Sequence, residues 1–318
     1  VFRRRQRQMC IRDRYKISVP KSTLIEIYKK VRNFPWSAAQ NMNGWEYGTN
    51  LNYLKNISKY WITKYNWKKF ENKINSFKNY KTKVEDINLH FIFEKSKNPN
   101  SKQLLLLHGW PGSITEFLDI IPRLAHPEKF GGKIEDGFDI IVPSLPGFGF
   151  SSQIKKALGP RKIGKILNKF MVKNLGYKNY FVQGGDWGAT IAGWIGLDSS
   201  KNCKGIHINC LPLRHPKGTK NIKEKKWEKK FNFDQIMQEG YRTQQATKPQ
   251  TLSYAMIDSP VGTAAWILEK FHGWSDLKMG KIEKTFSKDE LLSNIMIYII
   301  TKSFNTASWI YFGRRKEG

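Results

Sequence analysis

The pentapeptide Gly184-Gly185-Asp186-Trp187-Gly188 constrains this chain more than any other stretch. It follows a short apolar run at 180–182 and precedes an Ala/Ile-rich segment at 189–195. Such a run, passing through glycines into a helical pattern, predicts a sharp strand-to-helix turn. Small neighbours let a turn of this kind hold its central side chain in a strained, accessible conformation, which is the logic of a nucleophile elbow. The central residue here is Asp, and no Gly-x-Ser-x-Gly occurs in the chain. A carboxylate nucleophile suits attack on an sp³ carbon and leaves an ester. The same residues also fit an Asp N-cap in a glycine-rich loop, and the pentapeptide alone does not separate the two readings.

A second turn, His108-Gly109-Trp110-Pro111-Gly112-Ser113, directly follows the apolar run 104–107. In a parallel sheet that position faces the C-terminal edge, where sites form. The backbone N–H of Trp110 can there meet that of Trp187 to make an oxyanion hole. Runs at 89–93, 138–142 and 206–208 read as further strands, and 114–124, 163–175 and 189–195 as helices. The alternation predicts an α/β protein with a doubly wound, mostly parallel sheet, and the paired turns specify the α/β-hydrolase form of it. The block Pro143-Ser144-Leu145-Pro146-Gly147-Phe148-Gly149-Phe150-Ser151 predicts a tight loop packed beneath the site.

The flanks differ from this core. Residues 15–80 are helical and aromatic, with Ser22 as a candidate N-cap and Trp36, Trp45, Tyr47, Tyr60, Trp61, Tyr65 and Trp67 in close succession. These rings predict anchors onto a neighbouring core, with a base-stacking platform as the alternative. The hydrolase core is assigned to 81–215. From 216 to 318 the strand signal stops, and Lys-rich helical segments such as 227–239 and 291–302 predict a helical lid. Residues 1–14 (VFRRRQRQMCIRDR) lack both periodicity and an apolar signal core. They resemble translated adapter sequence fused to the coding sequence, with a basic targeting arm as the alternative.

The chain carries 55 Lys plus Arg against 26 Asp plus Glu, a formal charge of +29. No zinc-finger spacing, RNA-recognition motif or recognition helix accompanies it, so a Lys-rich solvated surface is expected and no specific nucleic-acid partner. Cys10, Cys203 and Cys210 form no disulfide framework and no metal motif. A reducing, cytoplasmic setting is expected. The longest apolar tracts, such as 295–300, fall far short of the ~20 residues of a membrane span.

Together these motifs resemble the microsomal-type epoxide hydrolases, including the juvenile hormone epoxide hydrolases and their bacterial relatives. The likeness runs from about Tyr15 to Tyr311. It rests on Trp45-Glu46-Tyr47-Gly48, Tyr60-Trp61, Tyr65-Asn66-Trp67, HGWPGS at 108–113, PSLPGFGFS at 143–151 and QGGDWGA at 183–189. Gly240-Tyr241, Gln245-Ala246-Thr247-Lys248-Pro249, Asp258-Ser259-Pro260-Val261-Gly262 and Leu291-Leu292-x-Asn294-x-Met296-x-Tyr298 extend it. The resemblance implies hydrolysis of a small apolar epoxide to a vicinal diol, without cofactor or metal. Asp186 would be the nucleophile, and Trp110 and Trp187 would supply the oxyanion N–H groups. Tyr241 would hydrogen-bond the epoxide oxygen, Tyr311 would be the proton donor, and His108, Pro111 and Trp187 would line the substrate pocket.

The family's hydrolytic His and its acid partner have no match. After Asp186 the chain holds only His207, in a predicted core strand, His215 and His272. Two strand–helix units are missing after the lid, so the expectation is a C-terminally truncated chain. Haloalkane dehalogenase chemistry shares the Asp elbow and stays open through Trp187. A non-catalytic basic protein that binds nucleic acid or anionic lipid is the third reading.

Overall fold

The N-terminal helices are amphipathic and lie against the rest of the chain. A computed structural model describes residues 14–42, 44–211 and 218–318. In it α1 (Lys21–Arg32) buries Leu24, Ile27 and Val31, and α2 (Leu51–Thr63) buries Leu54, Ile57 and Trp61, the 3–4 spacing of one helix face. α1 starts at Pro20 with no side-chain cap, so the expected cap Ser22 lies inside its first turn. The Asn50 side chain caps α2, and Asn66 caps α3 (Trp67–Asn75). Glu71 on α3 is buried yet satisfied: it accepts from Val19 N–H, Trp67 Nε1 and Lys68 Nζ.

Several of the predicted aromatic residues anchor this region. Trp61 and Trp67 are fully buried, the Tyr65 hydroxyl pairs with Ser293 at 3.1 Å, and Trp45 stacks on His272 at 3.9 Å. Tyr47 is exposed.

Six strands form one mixed sheet: β1 (Asn79–Val84), β2 (Ile87–Glu94), β3 (Gln103–Leu107), β4 (Asp139–Pro143), β5 (Tyr180–Gly184) and β6 (Cys203–Ile208), in the order β1-β2-β4-β3-β5-β6. β4, β3, β5 and β6 are parallel, whereas β1 and β2 form a hairpin that joins β4 antiparallel. The four parallel strands agree with the expected α/β core, and the antiparallel hairpin, which the sequence reading did not anticipate, makes the sheet mixed. The turn between β1 and β2 holds only Glu85 and Asp86, with Glu85 at φ +56°, and a parallel crossover needs far more chain. β1 also extends strand structure into the stretch expected to be helical. Its sequence, NYKTKV, has the polar and charged residues of an edge strand, which hide the alternation.

The predicted helix over 114–124 breaks into a 3-10 turn (Ile114–Phe117) and the short α4 (Ile121–Ala125). Pro122 has no N–H to continue a helix from the preceding turn, so it begins a new one. α5 (Pro160–Lys169) and α6 (Trp187–Asp198) pack side by side on one face of the sheet. The opposite face borders a cavity of about 820 Å³ lined by Leu104, Leu106, Phe117, Phe181 and Ile206. β6 is the other edge strand among the described residues, and His207 lies on it, as expected, with its side chain exposed.

Beyond the sheet lie α7 (Ile222–Gln238), α8 (Gly240–Thr247), α9 (Pro249–Asp258), α10 (Pro260–Gly273), α11 (Lys288–Ile300) and α12 (Phe304–Glu317). Ser259 caps α10, and Ser287 with Glu290 forms a capping box on α11. α11 is buried along most of its length and α12 packs on α5, α8 and α9. Among the described residues no helix is long and apolar enough to cross a membrane. The readings of residues 1–13 and of His215 lie outside the described residues.

Candidate active site

The turn after β5 carries the strain that the sequence predicts. Asp186 sits at φ +49°, ψ −124°, a region that a non-glycine residue occupies at a cost of roughly 1–3 kcal/mol. It stands at the N-terminus of α6 but makes no side-chain cap there, so the N-cap alternative is set aside. Its Oδ1 instead accepts the Trp110 N–H at 2.8 Å, and its carboxylate also accepts the Trp187 N–H. Two glycines permit this approach. A Cβ on Gly109 would lie 2.2 Å from Asp186 Oδ1, and one on Gly188 would lie 2.0 Å from the Leu107 carbonyl oxygen. The packed surroundings push the Asp186 carboxyl above the usual carboxylate range, against the pull of the two N–H groups. The residue nonetheless keeps an exposed face toward the site.

The loop after β3 supplies the other wall. Its Trp110–Pro111 peptide is cis. The turn is held from α11 by Asn294 and Tyr298, one helical turn apart. Asn294 Nδ2 donates to the Pro111 carbonyl at 2.8 Å, Ser113 Oγ donates to Asn294 Oδ1 at 2.8 Å, and the Tyr298 hydroxyl donates to the Gly112 carbonyl at 2.7 Å. α11, read from sequence as part of a lid, therefore clamps the oxyanion turn.

His108 does not line the pocket, as the resemblance implies that it would. It is fully buried, and its Nε2 accepts the Leu145 N–H at 3.1 Å while Nδ1 lies 3.0 Å from the Gly109 carbonyl. These partners require the neutral Nδ1–H tautomer, and burial pushes the ring's pKa down to about 4. His108 thus ties the oxyanion turn to the buried loop that follows β4. Pro111 does line the pocket.

Tyr241 on α8 and Tyr311 on α12 meet beside Asp186, their ring centroids 5.7 Å apart and their rings nearly perpendicular. Tyr241 stacks on Trp110 at 5.4 Å, and Tyr311 meets Trp187 edge-on at 4.8 Å. The Trp187 side chain is thus engaged with a phenol. Burial raises both phenols, Tyr241 to about 12 and Tyr311 further, with the Asp186 charge adding to each. Both are neutral donors at ordinary pH.

The pocket beside Asp186 measures about 180 Å³ and is lined by Trp110, Pro111, Glu116, Lys270, Phe271, Trp274 and Phe286 among others. Two of these were not anticipated. Glu116 borders both this pocket and the larger cavity. The residue is exposed overall, but the packed surroundings of its carboxyl and the Asp186 charge push its pKa up to about 8. Lys270 is 4% exposed. A signal existed for it: Trp266, Lys270 and Trp274 recur every four residues, putting a charge in an aromatic stripe. For Glu116 no signal existed, because its partners are remote in sequence. Among the described residues no cluster of His, Cys, Asp and Glu is arranged to hold a metal.

A strained Asp on a strand-to-helix elbow, with its carboxylate against the backbone N–H of the turn after β3, is the arrangement of an α/β-hydrolase elbow. Two family models match the chain: the epoxide hydrolase N terminus over residues 12–117 and the alpha/beta hydrolase fold over residues 102–257. Epoxide hydrolase 1 of Oryctolagus cuniculus is 35% identical, over 93% of this chain and 71% of its own length. Juvenile hormone epoxide hydrolase 1 of Ctenocephalides felis is 33% identical over 93% and 68%. The crystal structure of juvenile hormone epoxide hydrolase from Bombyx mori superposes with a TM-score of 0.84 at 30% identity, covering 95% of this chain and 76% of that one. The chain belongs to the epoxide hydrolase family.

Proposed function

We propose that this chain opens epoxides through an ester on Asp186. The observation that carries the reading is a carboxylate held at positive φ against the Trp110 and Trp187 N–H groups, with two neutral phenols beside it. One carboxylate oxygen is fixed by the N–H pair, and the other attacks an epoxide carbon. The hydroxyls of Tyr241 and Tyr311 hold the epoxide oxygen and supply its proton as the ring opens. The same N–H pair then faces the ester carbonyl, where they stabilise the oxyanion of the hydrolytic step. No metal or cofactor has a part in this scheme.

The substrate class follows from the pocket. Trp110, Phe271, Trp274 and Phe286 form apolar walls, which suits an aryl or terpenoid epoxide. α7–α10 with α12 act as the lid over the elbow, and α1–α3 form the N-terminal region that braces α10 and α11. His90 pairs with Ser144 and Asn79, His108 with Leu145 and Gly109, His126 with Glu94, His272 stacks on Trp45, and His207 lies exposed on β6. The described residues account in this reading for the alkylation half-reaction.

The test is intact-mass measurement of the folded chain incubated with excess aryl epoxide, followed by peptide mapping. The expected result is one adduct on the peptide that contains Asp186, absent from Asp186→Ala. An adduct of equal yield in Asp186→Ala would sink the assignment.

A further inference from the structure

α7 turns most of its length to solvent. Ile222, Phe233, Ile236 and Met237 are 85%, 67%, 73% and 66% exposed, and Lys226, Lys229 and Lys230 are exposed beside them. Alternating four- and three-residue spacings put Ile222, Lys226, Lys229, Phe233 and Ile236 on a single stripe of the helix, with Lys230 and Met237 alongside. No acidic residue falls on that stripe. Glu224 and Glu228 lie on the opposite side and turn back toward the preceding loop, where Glu224 accepts the Lys220 N–H at 2.7 Å and Glu228 the Thr219 hydroxyl at 2.9 Å. The stripe is therefore cationic in its middle and apolar at its C-terminal end. Three large apolar side chains this exposed at neighbouring positions are uncommon on a soluble surface, and they stay hydrated until something apolar covers them.

The charge selects the cover. A second copy of the chain would bring the same lysines face to face, in a protein of formal charge +29, so repulsion opposes self-pairing. An anionic lipid surface complements both parts of the stripe. Its phosphates meet the ammonium groups, its acyl chains receive Phe233, Ile236 and Met237, and the lysine stems lie along the boundary. The apolar end also adjoins the site. α7 ends at Gln238 and α8 begins at Gly240, so the chain passes directly from Met237 to Tyr241 beside Asp186. Gln238 in turn packs on α10, where a Cβ on Gly273 would lie 3.2 Å from its Oε1, and the next residue, the exposed Trp274, lines the Asp186 pocket.

We propose that α7 is an interfacial helix, which lies on an anionic bilayer with Phe233, Ile236 and Met237 in its apolar boundary and Lys226, Lys229 and Lys230 on its phosphates. The contact holds the rim of the Asp186 pocket at a surface in which apolar molecules dissolve. It is non-covalent and does not depend on the chemistry assigned to Asp186.

The test is co-flotation of the full 318-residue chain with vesicles of phosphatidylcholine alone, or with about one-third phosphatidylglycerol, at low salt and at about 0.15 M. The anionic vesicles are expected to bind at least about tenfold better than the neutral ones. Phe233→Ser, Ile236→Ser and Met237→Ser together should weaken that binding about thirtyfold or more and leave the remainder more sensitive to salt. Lys226→Gln, Lys229→Gln and Lys230→Gln together should weaken it about tenfold, chiefly at low salt. All six positions are exposed, so circular dichroism should show each variant folded. Leu197→Ser, at a residue 69% exposed on α6, is expected to leave binding unchanged. Equal flotation of the serine variant and the unsubstituted chain would assign lipid binding to the positive charge at large and overturn the proposal. A loss of the same size in Leu197→Ser, or no flotation with anionic vesicles, would overturn it too. Self-association abolished by the serine variant, without lipid binding, would give the stripe to a second copy instead.

Discussion

Asn294 is 2% exposed on α11, and the oxyanion turn depends on it. Asn294→Leu keeps the volume and the helix but removes the donor to the Pro111 carbonyl at 2.8 Å and the acceptor for Ser113 Oγ at 2.8 Å. Ser113 retains a second partner in the Thr115 hydroxyl at 3.0 Å, so the Pro111 carbonyl is the group left fully unpaired. An unpaired buried acceptor costs about 1–3 kcal/mol, and with the weakened Ser113 the total is about 2–4 kcal/mol. For a domain of this size that lowers the melting midpoint by roughly 4–8 °C. Activity should suffer more than stability. The Trp110 N–H is one peptide away, and a shift of about 1 Å can cost up to ~10²-fold in rate. Thermal denaturation followed by circular dichroism, with a single-turnover ester assay on the same sample, reads both quantities. Tyr298→Phe, which removes only the bond to Gly112, should show a smaller loss of the same kind. Melting within a degree of the unsubstituted chain, with ester formation intact, would refute the reasoning that α11 holds this turn.

Three further expectations follow from named groups. Gly109→Ala places a Cβ 2.2 Å from Asp186 Oδ1, so ester formation should fall by about a hundredfold or more in a chain that still folds; an unchanged rate would show that the elbow yields. Burial holds His108 near pKa 4 and His90 near 3, below the ordinary 6.5, so their stability contributions are complete above about 6.5 and lost as pH falls through those lower values. Histidine ring resonances followed by NMR should show neither of them titrating between neutral pH and about 5, and an ordinary titration of either would refute its buried neutral state. Glu116 shifts the other way. Its pKa of about 8 means that the folded chain holds a proton that the unfolded chain releases in the ordinary carboxylate range, so stability declines as pH rises toward 8. Glu116→Gln should flatten that decline in urea midpoints measured across the same window, and an identical slope in both chains would remove Glu116 as its source.

Much of the candidate site was legible in one dimension. Gly184 to Gly188 and His108 to Ser113 are contiguous, and each motif carries its own backbone geometry: the glycines allow the elbow, and the turn presents its N–H groups at a strand end. The parallel strands β3, β4 and β5 were legible because strands buried in an α/β core are short apolar runs, and β6 through its Ile206 and Ile208. The hairpin was not, since β1 is polar and its pairing with β2 is read only when the two are seen side by side. His108 illustrates the opposite error. A histidine next to an active-site turn suggests a wall of the pocket, but its two ring nitrogens are spent on Leu145 and Gly109.

The sequence by itself determined the strained turn that presents Asp186, our proposed nucleophile, and the turn after β3 that faces it, because these depend on residues adjacent in the chain. Only the tertiary structure decided which remote side chains govern them. Asn294 and Tyr298 reach the oxyanion turn from more than 180 residues away, as the sequence separations of 183 and 186 for their hydrogen bonds record. Glu116 acquires its altered acidity, and Lys270 its place against Tyr241, from burial and charge that no local pattern specifies. Backbone conformation is set chiefly by near neighbours, whereas desolvation and electrostatic pairing are set by whatever the fold brings within a few ångströms.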